Sequence, residues 1–139
     1  MTFREKNLWI YAVLVAAVTG VYFAGVLGQV RSTAVSEIAY QRPLLTAIGV
    51  VIVLTIVGTI LVAISSPKEA DKTDERDKNI DRLGESVAYM VVGFLMLVPL
   101  GLAMTGSQTF WIANTIYGGF VVSTLISTAV KIVAYRRGL

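Results

Sequence analysis

The residues best placed to do chemistry in this chain are acids. Asp77, Asp81 and Glu85 follow one another at four-residue spacing, with Asp74 one turn earlier. On a helix that spacing stacks carboxylates along one face, where like charges repel. A cation, an arginine-rich partner or a neighbouring protomer would answer that repulsion, so the row reads as a recognition surface. Its candidate partner-binding residues are Asp74, Glu75, Arg76, Asp77, Asp81 and Glu85. The plainer reading is a solvated helix. Its acids favour the dipole at the N-terminus, and Asp74–Lys78 and Arg82–Glu85 form local pairs worth a few tenths of a kcal/mol each.

Other chemistry is thinly supplied. The chain has no Cys and no His, which excludes thiolate nucleophiles, disulfides and sulfur-bound metals and removes the commonest metal ligand. No Ser/His/Asp set, phosphate-binding glycine loop or metal-ligand cluster is present. The residues predict neither an enzyme nor a cofactor or metal site.

The acids belong to a central block, Lys68 to Glu85, which holds every Asp and Glu except Glu5 and Glu37. Ser66, Pro67 and Glu69 offer one helix start there, and Asp71, Thr73 and Asp74 a second. From Asp74 the pattern is helical, with Ile80, Leu83 and Val87 as an apolar stripe. Around the block lie four continuous apolar runs, over residues 8–27, 43–64, 86–104 and 110–133, in a chain that is 55 % hydrophobic. Each has roughly 20 residues, enough to cross a hydrocarbon core of ~30 Å at ~1.5 Å per residue. Transmembrane strands would alternate apolar and polar residues, and these runs do not. The expected fold is an all-α membrane protein: one domain over residues 1–139, four transmembrane helices as two hairpins, and a charged segment 65–85 between them.

All Lys and Arg residues except Arg31 and Arg42 fall on one side of that topology. The positive-inside rule then places both termini and the central block in the cytoplasm, with the third helix continuing there as a stalk. Trp9, Tyr11, Tyr40, Trp111 and Tyr135 lie near segment ends, where interfacial aromatics belong. Topology accounts for the basic pI of about 9.3, so no direct nucleic-acid binding is expected. A cleaved signal peptide is the alternative for the first run, but its apolar core exceeds the usual 7–15 residues.

Helix packing should use small residues, because lipid offers no hydrophobic drive for helices to associate. Ala12, Ala16, Gly20, Ala24 and Gly28 make one such row on the first helix. Thr115, Gly119, Ser123 and Ser127 make another on the fourth, with Thr124 and Thr128 beside it. Either row can serve packing within one chain or between protomers. The hydroxyls of the second row read as a polar pathway or, more simply, as side chains bonded to helix carbonyls. Pro99 cannot donate to the Leu95 carbonyl and should kink the third helix, with Gly93 and Gly101 beside it. Asn114 is the one amide in a span, placed for a packing hydrogen bond. No charge lies well inside a span, which argues against a proton-coupled antiporter. Arg4–Leu8 and Arg76–Ile80 have similar sequences before the first and third helices, as a parallel repeat of two-helix units would show.

The segment Asp74-Glu75-Arg76, followed by Ile80 and an apolar helix, resembles a family of small bacterial and archaeal multi-pass membrane proteins. These carry Asp-Glu-Arg-x-x-x-Ile on the cytoplasmic side before a membrane helix. The resemblance implies a prokaryotic cytoplasmic membrane and, as a partner, a small helix-turn-helix regulator. The family has no agreed activity, so no catalytic residues come with it. Together these readings predict an interaction or regulatory module working through its cytoplasmic charged segment, as a homo-oligomer or with a membrane or cytoplasmic protein. The alternative is a small transporter or channel subunit, which would need an oligomer to enclose a pathway.

Overall fold

The computed structural model describes residues 2–70 and 73–138, so Asp71 and Lys72 lie outside the described residues, as does the side chain of Glu69. Helix α1 (Phe3–Gly28) starts where the Thr2 hydroxyl accepts a hydrogen bond from the Glu5 N–H at 3.2 Å. Two 3₁₀ turns, Gln29–Arg31 and Val35–Glu37, lead into α2 (Gln41–Ser65). A short α3 (Pro67–Ala70) begins on the proline after Ser66. Helix α4 (Glu75–Leu95) is capped by Asp74, which shares a capping box with Asp77. Helix α5 (Leu97–Met104) follows, and Gly106, at φ +70°, turns the chain into α6 (Thr109–Arg137). Gly138, at φ +74°, ends α6 behind Arg136 and Arg137, cations that suit a helix C-terminus.

Among the described residues there is no strand, and four stretches are long and apolar enough to cross a membrane. They are Phe3–Arg31, Gln41–Ser65, Glu75–Met104 and Thr109–Arg137, which makes this an all-helical, multi-pass membrane protein. Each helix outruns its apolar core because the polar flanks are helical too. The α4–α5 junction is interrupted at Met96, the residue after Leu95, whose carbonyl Pro99 cannot reach.

The helices stand in a row, α2–α1–α6–α4, with α5 continuing α4 along α6. Helices α1 and α6 are the inner pair, and α2 and α4 lean on them from outside. A duplicated hairpin about a two-fold axis would pair α2 with α4 as α1 pairs with α6. No comparable α2–α4 packing occurs, so the similar Arg4–Leu8 and Arg76–Ile80 segments have no matching symmetry in the fold.

The two small-residue rows have different fates. On α6, Gly119, Ser123 and Ser127 are buried. Ser123 donates to the Ala88 carbonyl and Ser127 to the Gly84 carbonyl, both at 2.8 Å, so α4 and α6 meet backbone to side chain. Thr115 and Thr128 bond back within α6, to the Trp111 and Thr124 carbonyls. On α1, Ala16, Gly20, Ala24 and Gly28 are exposed in the single chain, with Ala12 half-buried, and the buried face runs through Val15, Thr19, Tyr22 and Val26. From Ala16 to Gly28 the α1 row therefore lies off the packed face of the helix within this chain.

The end opposite the charged block closes on a core of Tyr22, Val26, Ile38, Ala47 and Phe110. Tyr22 donates to Asn114 Oδ1 at 2.6 Å, and Asn114 Nδ2 donates to the Phe110 carbonyl at 2.8 Å. The span's one amide is thus bonded at both ends.

Candidate functional site: a neutralised charge cluster

The starts of α1 and α4 and the ends of α2 and α6 come together at one end of the molecule. The capping box fixes the first turn of α4, which turns Asp77 and Asp81 toward α1 and α6. Arg4 of α1 reaches Asp77 at 3.4 Å, Asp81 at 3.1 Å and the Thr73 hydroxyl at 2.9 Å. Lys131 of α6 takes the other Asp81 oxygen at 3.1 Å. The Tyr135 hydroxyl donates to Asp77 at 2.7 Å. Two carboxylates meet two cations, so the repulsion between Asp77 and Asp81 is answered inside the chain, while Glu85 of the same row is not part of the cluster.

Gly84 makes this possible. A Cβ at that position would lie 2.6 Å from Lys131 Cγ, so the lysine stem crosses α4 where only glycine leaves room. Lys131 can then keep its apolar stem against the helix and its ammonium on Asp81. Asp77 precedes the apolar part of α4, with a side chain only 15 % exposed. Burial pushes its carboxyl up. Hydrogen bonds from the Tyr135 hydroxyl and the Asp74 N–H, with the Arg4 and Arg76 guanidinium groups, outweigh that and hold it below the usual carboxylate range.

The other candidates lie differently. Arg76 donates to the Tyr135 carbonyl at 3.1 Å and sits 5.9 Å from the centre of that ring. Glu75 points outward, 81 % exposed, and pairs with Lys78 at 2.9 Å. Asp74 is exposed beyond its capping role. Glu85 is exposed, with no ion pair or hydrogen bond among the described residues. The expected local pairs are thus replaced: Lys78 chooses Glu75 over Asp74, and Arg82 and Glu85 do not pair. The apolar stripe also shifts, since Ile80 and Gly84 are buried while Leu83 is 44 % exposed. Among the described residues no group of three or more acids is placed to hold a metal.

Arg4, Lys131 and Tyr135 are the site residues that spacing along the block does not reveal. One signal was available, because Lys131 falls within the fourth apolar run, where a charge needs a partner. Arg136 completes the edge of the site, pairing with Glu5 at 3.3 Å and lying 5.5 Å from the centre of the Trp9 ring. Comparison with models of protein families, with characterised proteins and with solved structures finds no match for this chain.

Proposed function

We propose that this is an interaction or regulatory module of the cytoplasmic membrane whose charged end docks a protein partner. The carrying observation is the division of the charge. Arg4, Asp77, Asp81 and Lys131 neutralise one another, which holds the first turns of α4 against α1 and α6. Asp74 and Glu85 stay exposed without an ion pair among the described residues, and with Glu75, exposed in its pair with Lys78, they form an acidic edge a basic partner can read. A preformed edge avoids the ordering cost of a mobile charged loop. A small helix-turn-helix regulator, the partner implied by the Asp74–Ile80 resemblance, has the basic surface this edge calls for.

The hydroxyls of α6 weigh against the transporter reading. Those of Ser123, Ser127, Thr115 and Thr128 are spent on helix carbonyls, which leaves Thr124 as the row's one hydroxyl without a bond among the described residues. Crosslinking pulldown from native membranes tests the proposal, comparing the intact chain with an Asp74→Ala, Glu75→Ala, Glu85→Ala variant. Loss of a basic partner in the variant, with normal insertion, is expected. Identical partners for both proteins would remove the acidic edge as the docking surface.

A further inference from the structure

We propose that the cleft between α2 and α4 at the charged end is a binding site for a small uncharged polyol or sugar-like group. The cleft has a volume of about 360 Å³, within the range of small-molecule sites. Its floor is the first turns of α1, with Asn7 and Tyr11, and its α2 wall carries Thr55 and Thr59. Arg4 and Asp81 close its charged side.

The first argument is unmet hydrogen bonding. Asn7 Oδ1 and Thr55 Oγ1 are shut off from solvent and have no hydrogen-bond partner. Thr55 does not make the bond to its own helix that Thr19, Ser65, Thr115 and Thr128 make. Tyr11 and Thr59 also lack a hydrogen bond among the described residues. Four neutral polar side chains thus line one cleft without partners, and the two buried oxygens among them, Asn7 Oδ1 and Thr55 Oγ1, each carry a cost of about 1–3 kcal/mol. Water does not reach the two oxygens as they stand, so a guest meets them through a turn of the soft Asn amide torsion and the Thr χ1.

The second argument is charge. Arg4 and Asp81 already bond each other, and Asp77 and Lys131 complete a balanced set. A charged guest would have to break those pairs, whereas an uncharged one leaves them intact. Asn7 Oδ1 only accepts, and the hydroxyls of Tyr11, Thr55 and Thr59 both donate and accept. A guest bearing several hydroxyls satisfies all of them. The rings of Phe3 and Tyr11 in the cleft offer flat walls to the C–H face of a sugar or cyclitol.

The test uses the full chain in phosphatidylcholine nanodiscs, free of sugar-headed detergent, with the melting temperature followed against added probe. Myo-inositol at millimolar concentration is the soluble arm, and nanodiscs containing a monoglucosyl diacylglycerol are the membrane-borne arm. Choline and inorganic phosphate are the charged probes. A saturable rise with either uncharged arm is expected, and the responding arm identifies the source. Thr55→Val and Asn7→Leu should abolish the rise, while melting without probe at or above the wild-type temperature because each deletes an unpaired buried oxygen. No rise with either uncharged arm, an equal rise in the variants, or a response to charged probes alone would overturn the proposal.

Discussion

One methyl group at Gly84 tests how the charged end is held. A Cβ there would lie 2.6 Å from Lys131 Cγ and 2.9 Å from Cδ, closer than real Cβ contacts come. Two responses are open. Lys131 can lift off α4, losing its 3.1 Å bond to Asp81. That pair is partly screened, with Asp81 39 % exposed, so its loss costs about 1 kcal/mol. Alternatively α4 and α6 part, stretching the 2.8 Å bonds from Ser123 and Ser127. Interhelical bonds of this kind are worth about 0.6–1.7 kcal/mol each in membranes, so parting costs more than lifting one lysine.

Against either cost, Ala in a helix interior gains about 0.5–1 kcal/mol over Gly. Gly84→Ala alone should therefore be near neutral, within about 1 kcal/mol. In a Lys131→Ala background the nearest obstructing atoms are gone, and the same change should stabilise by about 0.5–1 kcal/mol. The propensity gain is common to both backgrounds, so the coupling is the cost of lifting Lys131, about 1 kcal/mol, readable as a double-mutant cycle from reversible unfolding in mixed micelles. Equal effects of Gly84→Ala in both backgrounds, within about 0.3–0.5 kcal/mol, would refute the packing of Lys131 over Gly84.

Three further outcomes follow from named contacts. Tyr22→Phe leaves Asn114 Oδ1 buried without its donor and should cost about 1–2 kcal/mol in the same unfolding assay. Adding Asn114→Leu should recover most of that loss. Arg4→Ala removes contacts to Asp77, Asp81 and Thr73 and should cost about 1–2 kcal/mol. Arg136→Ala leaves Glu5, only 12 % exposed, without its cation and removes the guanidinium from the Trp9 ring, and should cost about 1 kcal/mol. The Asp77 carboxyl titrates lower in the folded chain than in the unfolded one. Its contribution is therefore full above the ordinary carboxylate range and lost as pH falls through the lowered folded value. The melting-temperature gap between wild type and Asp77→Asn should accordingly shrink on acidification below that range.

The four spans were legible because continuous apolar runs announce a membrane helix without any periodicity. The same property hid their arrangement, since a helix apolar all round does not say which face turns inward. Two small-residue rows competed for the packing role. The chain uses the α6 row, where Ser123 and Ser127 add hydrogen bonds to α4, and turns the Ala16–Gly28 row outward. The acidic row was legible as spacing, and its repulsion was a correct problem. Its solution lay 77 residues away in Arg4 and on another helix in Lys131 of α6, beyond any local pattern. Local pairing rules failed at Arg82–Glu85 for the same reason. A few tenths of a kcal/mol per exposed pair is too little to fix two long side chains.

The row of helices also ranks how firmly each is held. Helix α4 is tied to α6 through Ser123, Ser127 and Lys131, and to α1 through Arg4. Helices α1 and α6 are joined by the Tyr22–Asn114 bond at one end and the Arg136–Glu5 pair at the other. Among the described residues no hydrogen bond or ion pair ties α2 to another helix. It rests on α1 through apolar packing, with the Ile10 side chain against Gly58. In lipid such packing has no hydrophobic drive behind it, because acyl chains cover an apolar face as well as a helix does. Helix α2 is therefore held by van der Waals packing, along α1 and through Ala47, which is buried with Tyr22, Val26 and Phe110 in the core at the far end.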